Sequence, residues 1–173
     1  MPYTIYTLEV FIIGGPVTGD FIEANPEMSR TIEIRGDQTL EDLHRAIFEA
    51  FDRVDQHAYE FHFGDEPHDF SRGRYAHPAM DDAPFMMSRS KEPGSSWEIA
   101  EDPNGDVTTA TIDGLDLEVG DTFCYWFDFG DNWYHQIEVL GIEERTDNEE
   151  YPRVVNRVGE SPPQYPQLDQ EDW

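Results

Sequence analysis

One amphipathic helix in a chain otherwise patterned like β-strands is the feature that most limits the possible folds. Residues 39–54 read TLEDLHRAIFEAFDRV. Thr39 is a favourable N-cap, and Asp42 three residues later completes an approximate capping box. Apolar residues recur at helical spacing: Leu40, Leu43, Ile47 and Phe51. Because this is the clearest helical period in the chain, the sequence predicts one main helix with a single apolar face.

The segments around this helix alternate or are rich in β-forming residues. Segments 3–13 and 28–35 predict a pair of antiparallel strands, and segment 57–63 predicts the strand after the helix. Residues 121–143 predict a hairpin, and residues 151–160 a last edge strand. The sequence therefore predicts an α+β fold: a mostly antiparallel mixed sheet with one main helix packed on one face. The ββαβ start resembles a β-grasp arrangement.

The length of 173 residues fits one domain with short appendages. We expect a single α+β domain over residues 1–160, with a long loop-rich insert at about 64–106. Residues 161–173, SPPQYPQLDQEDW, predict a Pro-rich acidic C-terminal tail.

The charge is strongly negative, with 38 Asp and Glu against 11 Lys and Arg, for a net charge of −27. Nucleic-acid binding depends on Lys and Arg contacts to phosphate, so direct nucleic-acid binding is disfavoured. A halophilic source, or a surface selected for solubility, explains the same number.

The single cysteine, Cys124, excludes an intrachain disulfide and suits the cytoplasm. The chain has no apolar run of 18 residues, so no membrane partner is expected. No phosphate-binding loop or other cofactor motif is recognisable, and no cofactor is predicted.

The segment 123-FCYWFDFGDNWYH-135 is the main candidate site. If Asp131 and Asn132 form a two-residue loop, Asp128 lies opposite His135, and the carboxylate can orient the imidazole. A catalytic set of Asp128, Asp131 and His135, with His57 nearby, then becomes a hypothesis. The alternative is a structural hairpin, in which Gly130, Asp131 and Asn132 shape the turn and the aromatic residues fill the core. A shift of one residue in register destroys the Asp–His pair.

The sequence gives less support to the other candidate sites than to the hairpin. Glu60 and His62 lie on one strand face and could reach one ion, but a zinc site needs three or four converging ligands and no known metal motif is present. Cys124 lies among large apolar residues in an acidic chain, which predicts a buried, inert thiol. An aromatic stacking platform is a further alternative, although the absence of basic residues favours core packing for its members: Tyr125, Phe127, Phe129 and Trp133.

Several motifs together resemble the plasmid pRiA-type ORF-three-like family, found on plasmids and mobile elements. They are 39-TLEDLHRAIFEAF-51, 57-HAYEF-61, 125-YWFDFGDNWYH-135, 151-YP and 159-GESPP-163. The family's terminal acidic Pro-Pro-Glu-Asp motif is replaced here by 162-PPQYPQLDQ-170. The resemblance implies a single α+β domain of uncharacterised function. It marks seven motif positions without known roles: His44, His57, Asp128, Gly130, Asp131, Trp133 and His135.

Together these observations predict a small binding or interaction module, whose partner the sequence leaves unknown, with a protein as one candidate. The alternative is a hydrolase-like or metal-assisted enzyme centred on the Asp128/Asp131/His135 hairpin. An enzyme requires the four candidate side chains to converge on one pocket, whereas a binding module requires an accessible apolar surface.

Overall fold

A computed structural model describes residues 2–69, 71–77 and 105–164. Eight strands in these residues form one mixed sheet, in the order β5-β4-β3-β6-β7-β1-β2-β8. The strands are β1 (Tyr3–Gly14), β2 (Ser29–Arg35), β3 (Tyr59–His62), β4 (Arg74–Ala76), β5 (Gly105–Asp106), β6 (Thr122–Phe127), β7 (Trp133–Arg145) and β8 (Arg153–Val158). The helices are α1 (Gly19–Ala24) and α2 (Leu40–Ala50), with a short 3-10 turn at Asp113–Leu115.

The predicted main helix is confirmed, and its start is set by local side chains. The Thr39 side chain accepts from the backbone N–H of Asp42 at 3.2 Å, and the Asp42 carboxylate accepts from the backbone N–H of Thr39 at 3.0 Å. This reciprocal capping box satisfies two backbone donors that a helix start leaves without partners. One face of α2 is buried in the core cluster, together with apolar residues of β1, β2, β3, β6 and β7.

The sheet is mostly antiparallel, as predicted, and only the short β4–β5 pair is parallel. The first two strands form the predicted antiparallel pair, with Leu8 opposite Ile32. The last strand, β8, lies at one edge of the sheet and pairs only with β2 among the described strands. The α+β class is therefore confirmed, while the likeness to a β-grasp fold stays a prediction.

The two faces of the sheet differ in chemistry. Alternate residues of β3 and β6, such as Phe61 and Tyr125, point into the core beneath α2. The residues between them, including Glu60 and Trp126, belong to the opposite face. This alternation places apolar packing on one side of the hairpin strands and polar or half-buried aromatic groups on the other.

The predicted insert and tail are only partly described. Residues 78–104 and 165–173 lie outside the described residues, as does Phe70. The start of the predicted tail packs against the loop that follows α2, because the Gln164 side chain accepts from the backbone N–H groups of Val54 and Asp55 and donates to the Asp55 carbonyl. The boundary at residue 160 stays a prediction.

Candidate functional site

The β6–β7 hairpin has a different register from the one predicted from a two-residue loop. Phe127 pairs with Trp133, and Tyr125, rather than Asp128, lies opposite His135. The connection runs from 128 to 132, with Asp128 and Asn132 both in the left-handed region, at φ of 64° and 59°. The prediction that Asp128 faces His135 is therefore wrong, because the turn is longer than the sequence pattern suggested.

Asp128 organises this turn through its own side chain. Its Oδ1 atom accepts from the backbone N–H groups of Gly130 and Asp131, at 3.1 and 3.2 Å. Its own backbone N–H donates to the Ala58 carbonyl at 2.9 Å, which ties the turn to the start of β3. The alternative interpretation, in which polar residues shape the turn, agrees with these hydrogen bonds. The side chain that bonds the turn backbone is that of Asp128, and this is a common role of aspartate.

His135 lies in the apolar core, on the same face of the sheet as Tyr125. It is 4% exposed and packs against the rings of Phe51 and Tyr125, with centroids 5.6 and 5.0 Å away. Its Nδ1–H donates to the Tyr125 carbonyl at 3.3 Å. Burial lowers the pKa of His135 to about 3, so the imidazole is neutral at physiological pH. The ring is therefore shielded from solvent and from a substrate in solution.

Two of the four predicted site residues do meet. The Nε2 atom of His57 lies 3.4 Å from Oδ2 of Asp128, and the His57 side chain is about one third exposed. Asp131 is exposed at the tip of the turn. The structure thus brings His57 and Asp128 together, and it places Asp131 and His135 in separate environments. A catalytic role for these residues stays a prediction.

A second histidine of the family motif, His44, is also buried and neutral. Its ring stacks on Tyr59 at a centroid distance of 3.7 Å. Nε2–H donates to the Gln56 side-chain oxygen at 3.1 Å, so Nδ1 accepts from the Tyr125 hydroxyl at 2.6 Å. Burial lowers the pKa of His44 to about 4. His44 therefore joins α2 to the sheet as a satisfied core residue.

The opposite face of the sheet contains a buried charged network. The carboxylate of Glu60 accepts from Arg74 Nε at 3.0 Å and from His62 Nε2 at 2.8 Å, and all three residues are almost fully buried. His62 Nδ1 accepts from the backbone N–H of His68, which requires the proton on Nε2. Burial alone would raise the pKa of Glu60, but the hydrogen bonds from His62 and Arg74 outweigh it and lower that pKa.

This network leaves Glu60 and His62 engaged with protein groups rather than arranged around an ion. Among the described residues, no group of three or more His, Cys, Asp and Glu side chains has the geometry to hold a metal ion. Cys124 is buried nearby, and burial, with Asp69 and Glu66, raises its pKa to about 11. The predicted burial of this thiol is confirmed, and the raised pKa disfavours the reactive thiolate.

Three further aromatic residues and one histidine form a partly exposed cluster, here called the outer aromatic cluster: Trp126, Phe129, Tyr134 and His68. Trp126 stacks on Phe129 at 4.1 Å and on Tyr134 at 6.0 Å, and His68 stands edge-on to Trp126 at 4.5 Å. The Trp126 indole N–H donates to the Asn132 side chain at 3.0 Å. The hairpin thus holds accessible rings side by side on the face of the sheet away from α2.

Core packing was the favoured prediction for the four aromatic residues of the alternative stacking platform, and it holds for three of them. Tyr125, Phe127 and Trp133 are each about 1% exposed, so core packing is confirmed for them. Trp126 and Tyr134, which pair across the strands and are half-buried, were not among the residues of that alternative platform. The alternation along β6 could have identified Trp126 as a residue of the outer face, because it lies between the two buried residues Tyr125 and Phe127.

An open polar cleft lies at another part of the sheet edge. It is lined by Arg35, Gln38, Tyr151 and four acidic residues: Asp37, Asp42, Glu149 and Glu150. No side chain of the predicted hairpin site lines it. No helix in the described residues is long and apolar enough to cross a membrane.

The fold and the hairpin define a class of small α+β domains in which one helix covers a mixed sheet. The chain is similar to the crystal structure of MM3350, a protein of unknown function from Methanosarcina mazei Go1. The TM-score is 0.63 and the identity 21%, over 94% of this chain and 73% of that chain. At this identity the likeness concerns the fold alone.

The family model for plasmid pRiA4b ORF-3-like proteins matches residues 20–165. The chain therefore belongs to this family, as the motifs around α2 and the hairpin predicted. A comparison with curated proteins found no match.

Proposed function

We propose that this protein is a cytoplasmic interaction module of its plasmid-associated family, and that it binds a positively charged segment of a protein partner. The observation that carries this proposal is the outer aromatic cluster. Binding surfaces are enriched in tryptophan and tyrosine, which bury large areas with few rotatable bonds. Trp126 and Tyr134 are presented in this way by two paired strands, β6 and β7.

Charge complementarity favours a cationic occupant. Asp69 and Glu66 lie close enough to this face to raise the pKa of Cys124, and Asp65 and Asp131 are exposed nearby in sequence. A lysine or arginine placed over the face of a tryptophan gains roughly 0.5–2 kcal/mol through cation–π attraction. The net charge of −27 would also accelerate the approach of a basic partner and repel nucleic acid.

We expect Trp126→Ala to weaken the binding of basic peptides by about tenfold or more, because it removes a central aromatic anchor. The probe is a display library in which Arg- and Lys-containing peptides compete with charge-reversed Asp and Glu versions. Binding of selected peptides is then measured at physiological ionic strength. The net charge of the protein is the same in the variant, so a loss of affinity reports the aromatic surface rather than general electrostatic attraction.

Val155→Ala is the matched control, because Val155 is 47% exposed on β8 at the far edge of the sheet. It should bind the same peptides with unchanged affinity. The proposal is overturned if basic peptides are not enriched, or if Trp126→Ala, folded by circular dichroism, binds as tightly as the wild type.

A second candidate function, a hydrolase-like activity, rests on the approach of His57 to Asp128. A carboxylate that orients an imidazole is one half of a general-base arrangement, and here the imidazole is partly open to solvent. Asp128 Oδ1 is used by the turn, so Oδ2 is the oxygen that faces His57. The proposed role of His57 is proton transfer, with Asp128 as the residue that positions it.

We expect His57→Gln to reduce hydrolysis of chromogenic ester or phosphoester substrates by about 10²–10⁴-fold if His57 is the general base. Asp128→Asn is the companion variant, since its amide oxygen can still accept the turn hydrogen bonds while the charge facing His57 is removed. Absence of activity in the wild type, or equal activity in both variants and the wild type, would exclude this candidate.

A further inference from the structure

The arginines of this acidic chain are distributed unevenly. The described residues contain nine arginines, and six of them pair with carboxylates: Arg35, Arg45, Arg72, Arg74, Arg145 and Arg153. The remaining three, Arg30, Arg53 and Arg157, have no carboxylate within 4.0 Å among the described residues. They lie together at the C-terminal end of α2, where Arg30 and Arg157 both donate to the Ala50 carbonyl.

Two of these three arginines are satisfied by neutral oxygens. Arg30, 2% exposed, also donates to the carbonyls of Ser29, Val158 and Gly159 and to the Ser161 hydroxyl. Arg157 is exposed, so solvent reaches its remaining donors. The end of a helix carries partial negative charge, which favours both guanidinium groups.

Arg53 is in a different situation. It is 9% exposed, and its guanidinium stacks over the Trp133 ring at 4.5 Å. Nη2 donates to the Pro162 carbonyl, whereas Nη1 is enclosed and has no hydrogen-bond acceptor among the described residues. The indole Nε1 of Trp133, a residue that is 1% exposed, is likewise enclosed and without an acceptor. Two N–H donors of one stacked pair therefore have no acceptor within the part of the chain that the structure describes.

The charge on Arg53 also has no counterion within ion-pair distance among the described residues. The carboxylate that raises the pKa of Arg53 is that of Asp52, which accepts from the Ser161 hydroxyl and forms no ion pair with Arg53. Burial is the largest influence on Arg53 and, with Arg30, outweighs Asp52 and lowers its pKa to about 10. Buried charges in proteins are normally paired, since an isolated ion loses its hydration without compensation.

We propose that Arg53 Nη1–H and Trp133 Nε1–H together bind a chloride-sized monoanion. The guanidinium carbon lies 4.5 Å from the centre of the indole ring, so both donors belong to one buried stack. The enclosure of both nitrogens favours a small ion over a polyatomic one. A water molecule would satisfy the N–H groups, but it would leave the positive charge of the arginine group uncompensated. This site is independent of the outer aromatic cluster.

The test compares stability in sodium chloride and in sodium gluconate at equal ionic strength, using the full chain. A ligand that binds only the folded state multiplies the folding constant by 1 + [ligand]/Kd, about a hundredfold at one hundred times the Kd. We expect chloride to raise the denaturation midpoint above that in gluconate. Trp133→Phe, which keeps a ring but removes the N–H, should reduce this chloride-specific increment, and Arg53→Met should abolish it.

Trp126→Phe is the matched control, because it removes an indole N–H that is bonded to Asn132 on the other face of the sheet. It should keep the full difference between chloride and gluconate. Crystals grown in bromide supply a second measurement, with an anomalous peak expected at hydrogen-bonding distance from Arg53 and Trp133. Equal midpoints in the two salts, an equal increment in all variants, or no bromide peak between these donors would overturn the proposal.

Discussion

Glu60→Gln is expected to destabilise the fold by about 3–5 kcal/mol, the usual cost of breaking a buried ion pair by removing one partner. The substitution keeps the shape of the side chain but removes the charge that accepts from Arg74 and His62. The Arg74 guanidinium, which is 4% exposed, would lose its ion pair with Glu60 in the interior of the protein. Urea denaturation at neutral pH, followed by circular dichroism, measures the change in the free energy of unfolding.

Glu144→Gln provides the control, because Glu144 is exposed and the substitution makes the same change in net charge. Its expected effect is within about 0.5 kcal/mol. The double variant Glu60→Met with Arg74→Met should regain most of the lost stability, since an apolar pair often replaces a buried ion pair at little cost. If Glu60→Gln destabilises no more than Glu144→Gln, the pair does not hold this face of the sheet together.

The second large effect is a loss of stability in mild acid, caused by His44 and His135. Burial lowers their pKa values to about 4 and about 3, from an ordinary value of 6.5. Below pH 6.5 both histidines bind protons in the unfolded chain but stay neutral in the folded protein. The free energy of unfolding therefore decreases as the pH falls. Each histidine contributes about 1.4 kcal/mol per pH unit well below that point, or about 2.8 kcal/mol per unit together. Stability is fully present above pH 6.5.

The measurement is the free energy of unfolding at half-unit steps from pH 8.5 to pH 5.5, above the range in which most carboxylates titrate. Protonation of carboxylates would relieve the repulsion of a chain at −27 and oppose the effect at lower pH. His135→Leu should remove about half of the slope between pH 6.5 and 5.5, and the wild type should show little slope between pH 7.5 and 8.5. An unchanged slope in His135→Leu would mean that this ring is protonated in the folded state.

The sequence could predict the elements whose signals are local. The capping box of Thr39 and Asp42 and the apolar spacing after it define α2 without reference to the rest of the chain. The alternation in 57–63 likewise predicted the strand that follows the helix, which the structure shows as β3. These patterns are reliable because each one depends on neighbours a few residues away.

The candidate site was less predictable, because it depends on the register of a hairpin and on what covers each face. Asp128 and Asn132 adopt the left-handed conformation, which lengthens the turn and moves Asp128 away from His135. A β-strand alternates with period two, so the register decides which aromatic rings are buried and which, like Trp126, remain accessible.

Composition and local pattern alone determined the acidic character of the chain, its main helix, its α+β class and the motifs of its family. Only the tertiary structure decided that His57, rather than His135, meets Asp128, and that Arg53 and Trp133 stack at the end of α2. The physical reason is the separation along the chain between the residues that interact. Helix caps and strand alternation are settled between near neighbours, whereas these contacts join residues that are distant in sequence and meet only once the sheet has formed.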